Sequence, residues 1–446
     1  MIEFDISWEN SWRTSTFESN WDAAWVFVKF SPRGQNDWHH AALHYVDGFN
    51  DGHIAPAGAT IHTMANSYAN QTEGVGVMIY RNNDGIGDIG WQQVQLRWDY
   101  GVDGIADDQV VEISAFAIEM VYVPQGAFYV GDGDSGQGNF EAGNTGQAFL
   151  ISSENSITLG GTNPSHLSNH DNRNGSGNDD FDYSTSTILP AAFPKGFDAF
   201  YCMKYEASQQ QYANFLSHLS GDQRTQRNAK GTINFGIEDG LNYAIAEYPW
   251  RAMGNMDWKD IAAYLDWSGL RPMTELEYEK ACRGPLDPIP FEYAWGSNGV
   301  INAGDFPLEN EGSPNEIFST NLGLSVGYCN YGTPLMRCGI FAASALNKTR
   351  LETSASYWGI MELSGNAYEF TLSLNHWTSR NSQGYHGDGE ISSNGEASGQ
   401  MYTDWASALS IGAGWRQAIV SNRYFSGSND TDRHVKYGIR GVRTAQ

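Results

Sequence analysis

The chain has 446 residues, more than one hydrophobic core usually supports, so two domains, or one large domain with long insertions, are expected. Its 52 acidic residues against 26 basic ones give a formal net charge of -26, which argues against nucleic acid as a partner, because phosphate binding needs clustered Lys and Arg. No run of eighteen apolar residues occurs, and the opening Met1-Ile-Glu-Phe-Asp-Ile6 has neither a basic start nor an apolar stretch, so neither a membrane span nor a visible targeting segment is expected.

From residue 1 to about 116 the apolar residues come in short β-like runs: Trp25-Val-Phe-Val-Lys-Phe30, Ala41-Ala-Leu-His-Tyr-Val46, Val75-Gly-Val-Met-Ile-Tyr80, Val94-Gln-Leu-Arg-Trp98 and Val110-Val-Glu-Ile-Ser-Ala-Phe116. Short strands separated by Gly, Asn and Asp predict an all-β sandwich of immunoglobulin-like type. Asn82-Asn-Asp-Gly-Ile-Gly-Asp88 reads first as a hairpin turn, and only second as a calcium loop. His39, His40 and His44 suggest a metal site at first sight, but neighbours on a strand face opposite ways, so they are read as surface histidines.

The composition changes at Phe116, which places a domain boundary there: a β-sandwich over 1–116 and a mixed α+β domain over 117–446. From Asp132 to about Leu189 the chain is rich in Gly, Asn, Ser and Asp, as in a long insertion, either mobile or ordered by ions and neighbours. Helices are expected only beyond it. Ser208 with Gln211 makes a capping box, Asp257 caps a second helix with Trp258, Ile261, Ala262 and Leu265 on one face, and Thr274 with Glu277 opens a third.

The densest stretch is Gly359-Ile-Met-Glu-Leu-Ser-Gly-Asn-Ala-Tyr-Glu-Phe370. Glu362 and Glu369 stand seven residues apart with Gly365, Asn366 and Ala367 between them, so a curling backbone offers carboxylates at its ends and carbonyls in its middle. Calcium takes such an all-oxygen shell. The other reading leaves Glu362 and Glu369 exposed, or paired with Arg440 or Arg443, around an ordinary turn.

Several pieces, in order, resemble the formylglycine-generating enzyme (sulfatase-modifying factor) family: the opening of 117–131, Lys204-Tyr-Glu-Ala-Ser208, Arg271 to Arg283, Tyr293-Ala-Trp-Gly296, the loop at 359–370, and Gly438-Ile-Arg440. The resemblance implies a C-type-lectin-like fold with little regular secondary structure. It also implies a structural calcium held by Glu362, the carbonyls of Gly365 and Ala367, and Glu369. The family's enzymes bind copper through two thiolates shortly before the final G-F-R, as soft sulfur suits Cu(I). Here Ser421 takes the second position and Arg416 or Gln417 lies near the first, so no copper is expected.

The cysteines, Cys202, Cys282, Cys329 and Cys338, lie elsewhere; the first two read as small core residues, and the last two flank a turn that brings a disulfide within range. No P-loop, G-x-S-x-G or H-E-x-x-H occurs. The expected protein is therefore non-catalytic and extracellular or surface-exposed, using this scaffold to bind a protein partner or to self-assemble, as a surface-layer or filament subunit would. A copper-type oxidase, or another enzyme on the same fold, is the alternative.

Overall fold

The computed structural model describes every residue except 50, 67–72, 134–138, 170–185, 229–232, 239–240, 304–305, 320–325, 329–333, 375–377, 399–407, 412–417 and 424–431; for 234–238, 241–242, 302, 326–328 and 408–411 it describes the backbone alone. The fold is mixed, with many strands and few helices. The elements that position the sites are β1 (Ile2–Arg13), β2 (Asp22–Pro32), β3 (Ala59–Ala65), β4 (Glu73–Arg81), β5 (Gly85–Leu96), β6 (Val111–Val123), β7 (Phe200–Met203), α1 (Gln209–Ser217), α2 (Trp258–Trp267), α3 (Glu275–Arg283), β8 (Tyr368–Leu372) and β9 (Val442–Thr444).

β2 carries an almost unbroken apolar run because both of its faces are covered. It lies inside a sheet of order β9-β7-β6-β2-β4, which continues to Leu43–His44, while β3 also pairs with β4 and His39–His40 with β2. Trp25 and Phe27 point to one side and pack with Trp267 of α2 and Phe215 of α1, where Trp25 Nε1 donates to the Ser268 carbonyl at 2.7 Å. Ala24, Val26, Val28 and Phe30 point to the other, against Trp8 of β1 and Ile89, Val94 and Leu96 of β5. β1 and β5 pair antiparallel as a separate two-stranded ribbon that covers this second face.

Phe116, where the composition changes, sits in the middle of β6. Its Cα partner on β2 is Phe27, and its ring lies 5.0 Å from that of Trp267. β6 then continues into pairing with β7, so one sheet joins the N-terminal strands to the rest of the chain. The turn at Asn82–Asp84 departs from the expected hairpin. β4 pairs with β2 and β3, whereas β5 pairs with β1, so the turn carries the chain from one sheet to the other. His39 is exposed, as read, but His40 is half-buried, with Nε2 2.6 Å from the Val75 carbonyl.

Within 132–189 the described segments are ordered by neighbours: Phe140, Ile151, Leu159, Leu167 and Leu189 are buried in the main core. All three capping boxes form, since each needs only residues three apart. The C-terminus returns to the N-terminal strands, where Gln446 Oε1 accepts from the Ala65 amide at 2.9 Å.

A fragment of residues 109–446 would leave the β6 edge without β2 and uncover Phe116 and Trp267. It is expected to lose cooperative melting; a fragment that melts like the full chain would show that the C-terminal part folds alone. The junction also has a titratable reporter. His218, at the end of α1, donates from Nδ1 to the Asn214 carbonyl (2.8 Å) and accepts from Ser114 Oγ of β6 (2.9 Å). Burial lowers its pKa from 6.5 to about 4. The unfolded chain therefore takes up the proton first, and the stability contributed by the neutral ring, full above pH 6.5, is lost as pH falls toward 4. His218→Gln should remove about 2 kcal/mol of that pH dependence in urea titrations at pH 7 and pH 4.5; an unchanged difference would show that the ring takes up its proton equally in the folded and unfolded states.

Candidate functional site

The loop after Gly359 curls because Glu362 and Asn366 both take left-handed backbone conformations, with φ of 60° and 57°. Hydrogen bonds from outside hold it there. Tyr278 of α3 donates to the Leu363 carbonyl (2.7 Å), the Ala294 amide donates to Ser364 Oγ (2.9 Å), and the Met336 amide donates to Asn366 Oδ1 (2.9 Å). Gly438 is required beside it, since a Cβ there would lie 2.6 Å from that of Ala367.

Both loop carboxylates are buried, Glu362 at 1% and Glu369 at 0% exposure, which rules out the exposed-turn reading. A third, Glu206, joins them from the segment after β7, where its Oε1 accepts from the Ala367 amide at 3.2 Å. Glu362 Oε1 accepts from the Gly339 amide at 2.7 Å. Arg440 is the cation among them. It donates to Glu369 Oε1 and to the carbonyls of Met203 (2.8 Å) and Met361 (2.9 Å), with Glu206 Oε2 3.9 Å away. Arg443, the other partner considered, donates instead to the carbonyls of Gly269 and Ala65 and lies over the Trp25 ring.

Three carboxylates around one guanidinium leave excess negative charge in a buried place. Burial pushes Glu369 up to about 7 against the pull of Arg440, and pushes Glu362 well up, helped by the charge of Glu206. Among the described residues, the second oxygens of Glu206, Glu362 and Glu369 find no hydrogen-bond donor. Carboxylate oxygens are the ligand type that hard divalent cations take. Sequence reasoning missed Glu206. It stood in the quoted Lys204-Tyr-Glu-Ala-Ser208 segment, but only the motif was weighed, and not its charge.

The region aligned with the copper thiolates is built differently. Ser421 is buried, and its Oγ accepts from Arg283 Nη2 at 2.9 Å. Arg283 in turn binds Glu292, Glu279 (3.0 Å) and the Tyr129 carbonyl (2.8 Å), while Arg423 binds Glu279 at 2.5 Å. Around Ser421, then, stands a closed set of ion pairs on α3. Arg416 and Gln417 lie outside the described residues. Burial raises the Cys202 thiol to about 12 and pushes the Cys282 thiol well up, so neither offers a thiolate at neutral pH. Cys338 is a free thiol turned toward the Glu206 carbonyl (3.4 Å), and Cys329, the other half of the disulfide considered, lies outside the described residues.

Comparison with known proteins places these features. The model of the sulfatase-modifying factor enzyme 1-like domain matches residues 109–445. The formylglycine-generating enzyme of Bos taurus is 24% identical over 152 residues, which cover 26% of this chain and 40% of that protein. That of Thermomonospora curvata is 33% identical over 82 residues, 17% of this chain and 26% of that protein. The chain thus aligns with less than half the length of either relative. Among solved structures, the Major Tropism Determinant I1 Variant is similar at 11% identity and a TM-score of 0.25, covering 72% of this chain and 86% of that one. With a family match that begins just before β6 and runs almost to the last residue, the chain belongs to the sulfatase-modifying factor enzyme 1-like family.

Proposed function

We propose that this protein is a non-catalytic member of its family, extracellular or surface-exposed, that uses the domain as a scaffold for binding a protein partner or for self-assembly. The observation that carries the reading is Ser421. A hydroxyl that accepts from a buried arginine cannot serve as a soft thiolate ligand for Cu(I), and no described cysteine stands near enough in sequence to replace it. The acidic, lysine-poor composition supports the location, and no helix among the described residues is long and apolar enough to cross a membrane. In this reading the fold is C-type-lectin-like over 117–446, with an immunoglobulin-like arrangement of strands before it, and its irregular loops supply the recognition surface.

The same reading includes a structural calcium at Glu362, Gly365, Ala367 and Glu369. Its support is the surplus of buried carboxylate over Arg440 and the unpartnered second oxygens. The ion would neutralise charge and fix the loop; it has no part in chemistry.

Two experiments test these proposals. Titration with Cu(I), followed by an assay on a cysteine-containing sulfatase peptide, should give neither stoichiometric binding nor turnover. Formylglycine production would establish the enzyme reading, which the names of the two relatives favour. For calcium, EGTA should lower the melting temperature by about 5 °C, restored by added Ca²⁺. Glu369→Gln should copy the loss, and Glu362→Gln, which leaves the Arg440 pair in place, should abolish the response to EGTA. A melting curve indifferent to EGTA in the unmodified protein would leave Arg440 as the site's sole cation.

A further inference from the structure

A groove of about 1200 Å³ runs between the end of β1 and the segments 203–211 and 337–361. It is lined in part by Glu9, Asn10, Trp12 and Glu18, which precede the family domain, so the domain alone does not make it. Ser421, Glu362 and Glu369 are not among its lining residues, although Glu206 is.

One wall carries Arg337, Lys348 and Arg350. In a chain with 52 acids and 26 bases, most of the described buried arginines hold carboxylates, yet among the described residues none of these three cations makes an ion pair. Arg350 donates to the carbonyls of Ala355 (3.3 Å), Cys282 (3.2 Å) and Ala294 (2.6 Å), and Lys348 to that of Ala342. Arg337 Nη1 is buried and has no hydrogen-bond partner at all. Arg337 lines the groove while one of its N–H groups is left unmet, at a cost of about 1–3 kcal/mol, and a side-chain turn toward an anion in the groove would remove that cost. Lys204, by contrast, is already held by Glu119 (2.9 Å) and Asp22 (3.5 Å).

The rest of the lining narrows the ligand. Trp250 is 50% exposed, and Trp12 and Tyr357 are half-buried, so flat aromatic faces are open to a ligand with C–H-rich surfaces. Glu9, Asn10 and Glu18 add acceptors for hydroxyl donors. An acidic peptide has no row of hydroxyl donors for Glu9, Asn10 and Glu18 and no C–H-rich ring faces for the aromatic walls. A small free anion would leave most of the volume unfilled. A chain with net charge -26 does not collect anions indiscriminately.

We propose that this groove binds an acidic oligosaccharide, with carboxylate or sulfate groups at Arg337, Lys348 and Arg350, sugar faces on Trp12, Trp250 and Tyr357, and hydroxyls on Glu9, Asn10 and Glu18. The proposal holds whether or not the region of Ser421 is catalytic, and whether or not the loop binds calcium. Isothermal titration of the full chain with a galacturonic-acid hexamer, a sulfated hexasaccharide, cellohexaose and hexaglutamate tests it. At least one acidic sugar should bind, with cellohexaose weaker by about tenfold or more and hexaglutamate silent; the stronger of the two acidic sugars identifies the anion. Arg337→Gln should weaken binding about tenfold with an unchanged melting temperature, and the exposed Lys348→Gln provides the same test should the first variant fold poorly. Failure of both acidic sugars to bind, equal binding of cellohexaose, preference for hexaglutamate, or indifference to both substitutions would overturn it.

Discussion

The buried guanidinium of Arg440 is the contact on which the domain's organisation depends. From near the C-terminus it reaches the carbonyl of Met203 at the end of β7, the carbonyl of Met361 in the curled loop, and the carboxylate of Glu369 at the start of β8. Three segments far apart in the chain thus meet at one planar, permanently charged group. Arginine suits this place because its five donors lie in a fixed plane and its charge survives burial, whereas a lysine would supply one point charge with a movable axis. Glu206 and Glu362 crowd the same space, so three buried carboxylates share the one guanidinium.

Ion pairs elsewhere follow a different pattern, and the contrast is informative. On α3 every residue is buried, including Glu275, Glu277, Glu279, Lys280 and Arg283. Glu277 both closes the capping box with Thr274 and binds Arg271 through two oxygens, at 2.8 and 2.6 Å. Glu279 is shared by Arg283 and Arg423. Here charge is matched, and Ser421 is drawn into the network as an acceptor. Buried pairs of this kind add little net stability over apolar packing, but removing one member is costly, so the α3 network restrains which side chains can occupy position 421.

Local features were legible in the sequence and non-local ones were not. The capping boxes of Ser208, Asp257 and Thr274 could be read because a hydroxyl or carboxylate and an amide three residues on complete them. The strand runs of Trp25–Phe30 and Val75–Tyr80 could be read because alternate side chains serve a face of a sheet. Which strands pair is decided by packing between distant residues: nothing in Asn82–Asp88 says that β5 leaves β4 to join β1. In the loop, Glu362 and Glu369 were visible as a charged pair within one motif. The third carboxylate, Glu206, belongs to another motif, and only the fold brings it across. The boundary placed at Phe116 followed a real change in composition, yet the residue itself is an aromatic link between β2 and α2.

The return of the C-terminus to β3 and β4's sheet has a consequence for how the chain acquires its fold. β2 finds β6 only after some ninety residues have emerged, β7 must wait for β9, and the Ala65–Gln446 bond joins nearly the whole length of the chain. Loop closure on this scale is slow, and until it happens the edges of β7 and β3 and the apolar faces of β2 stay uncovered. During synthesis, therefore, the first hundred residues cannot settle into their final sheet. Their protection from one another in that interval must come from outside the chain, or from the repulsion among its many carboxylates.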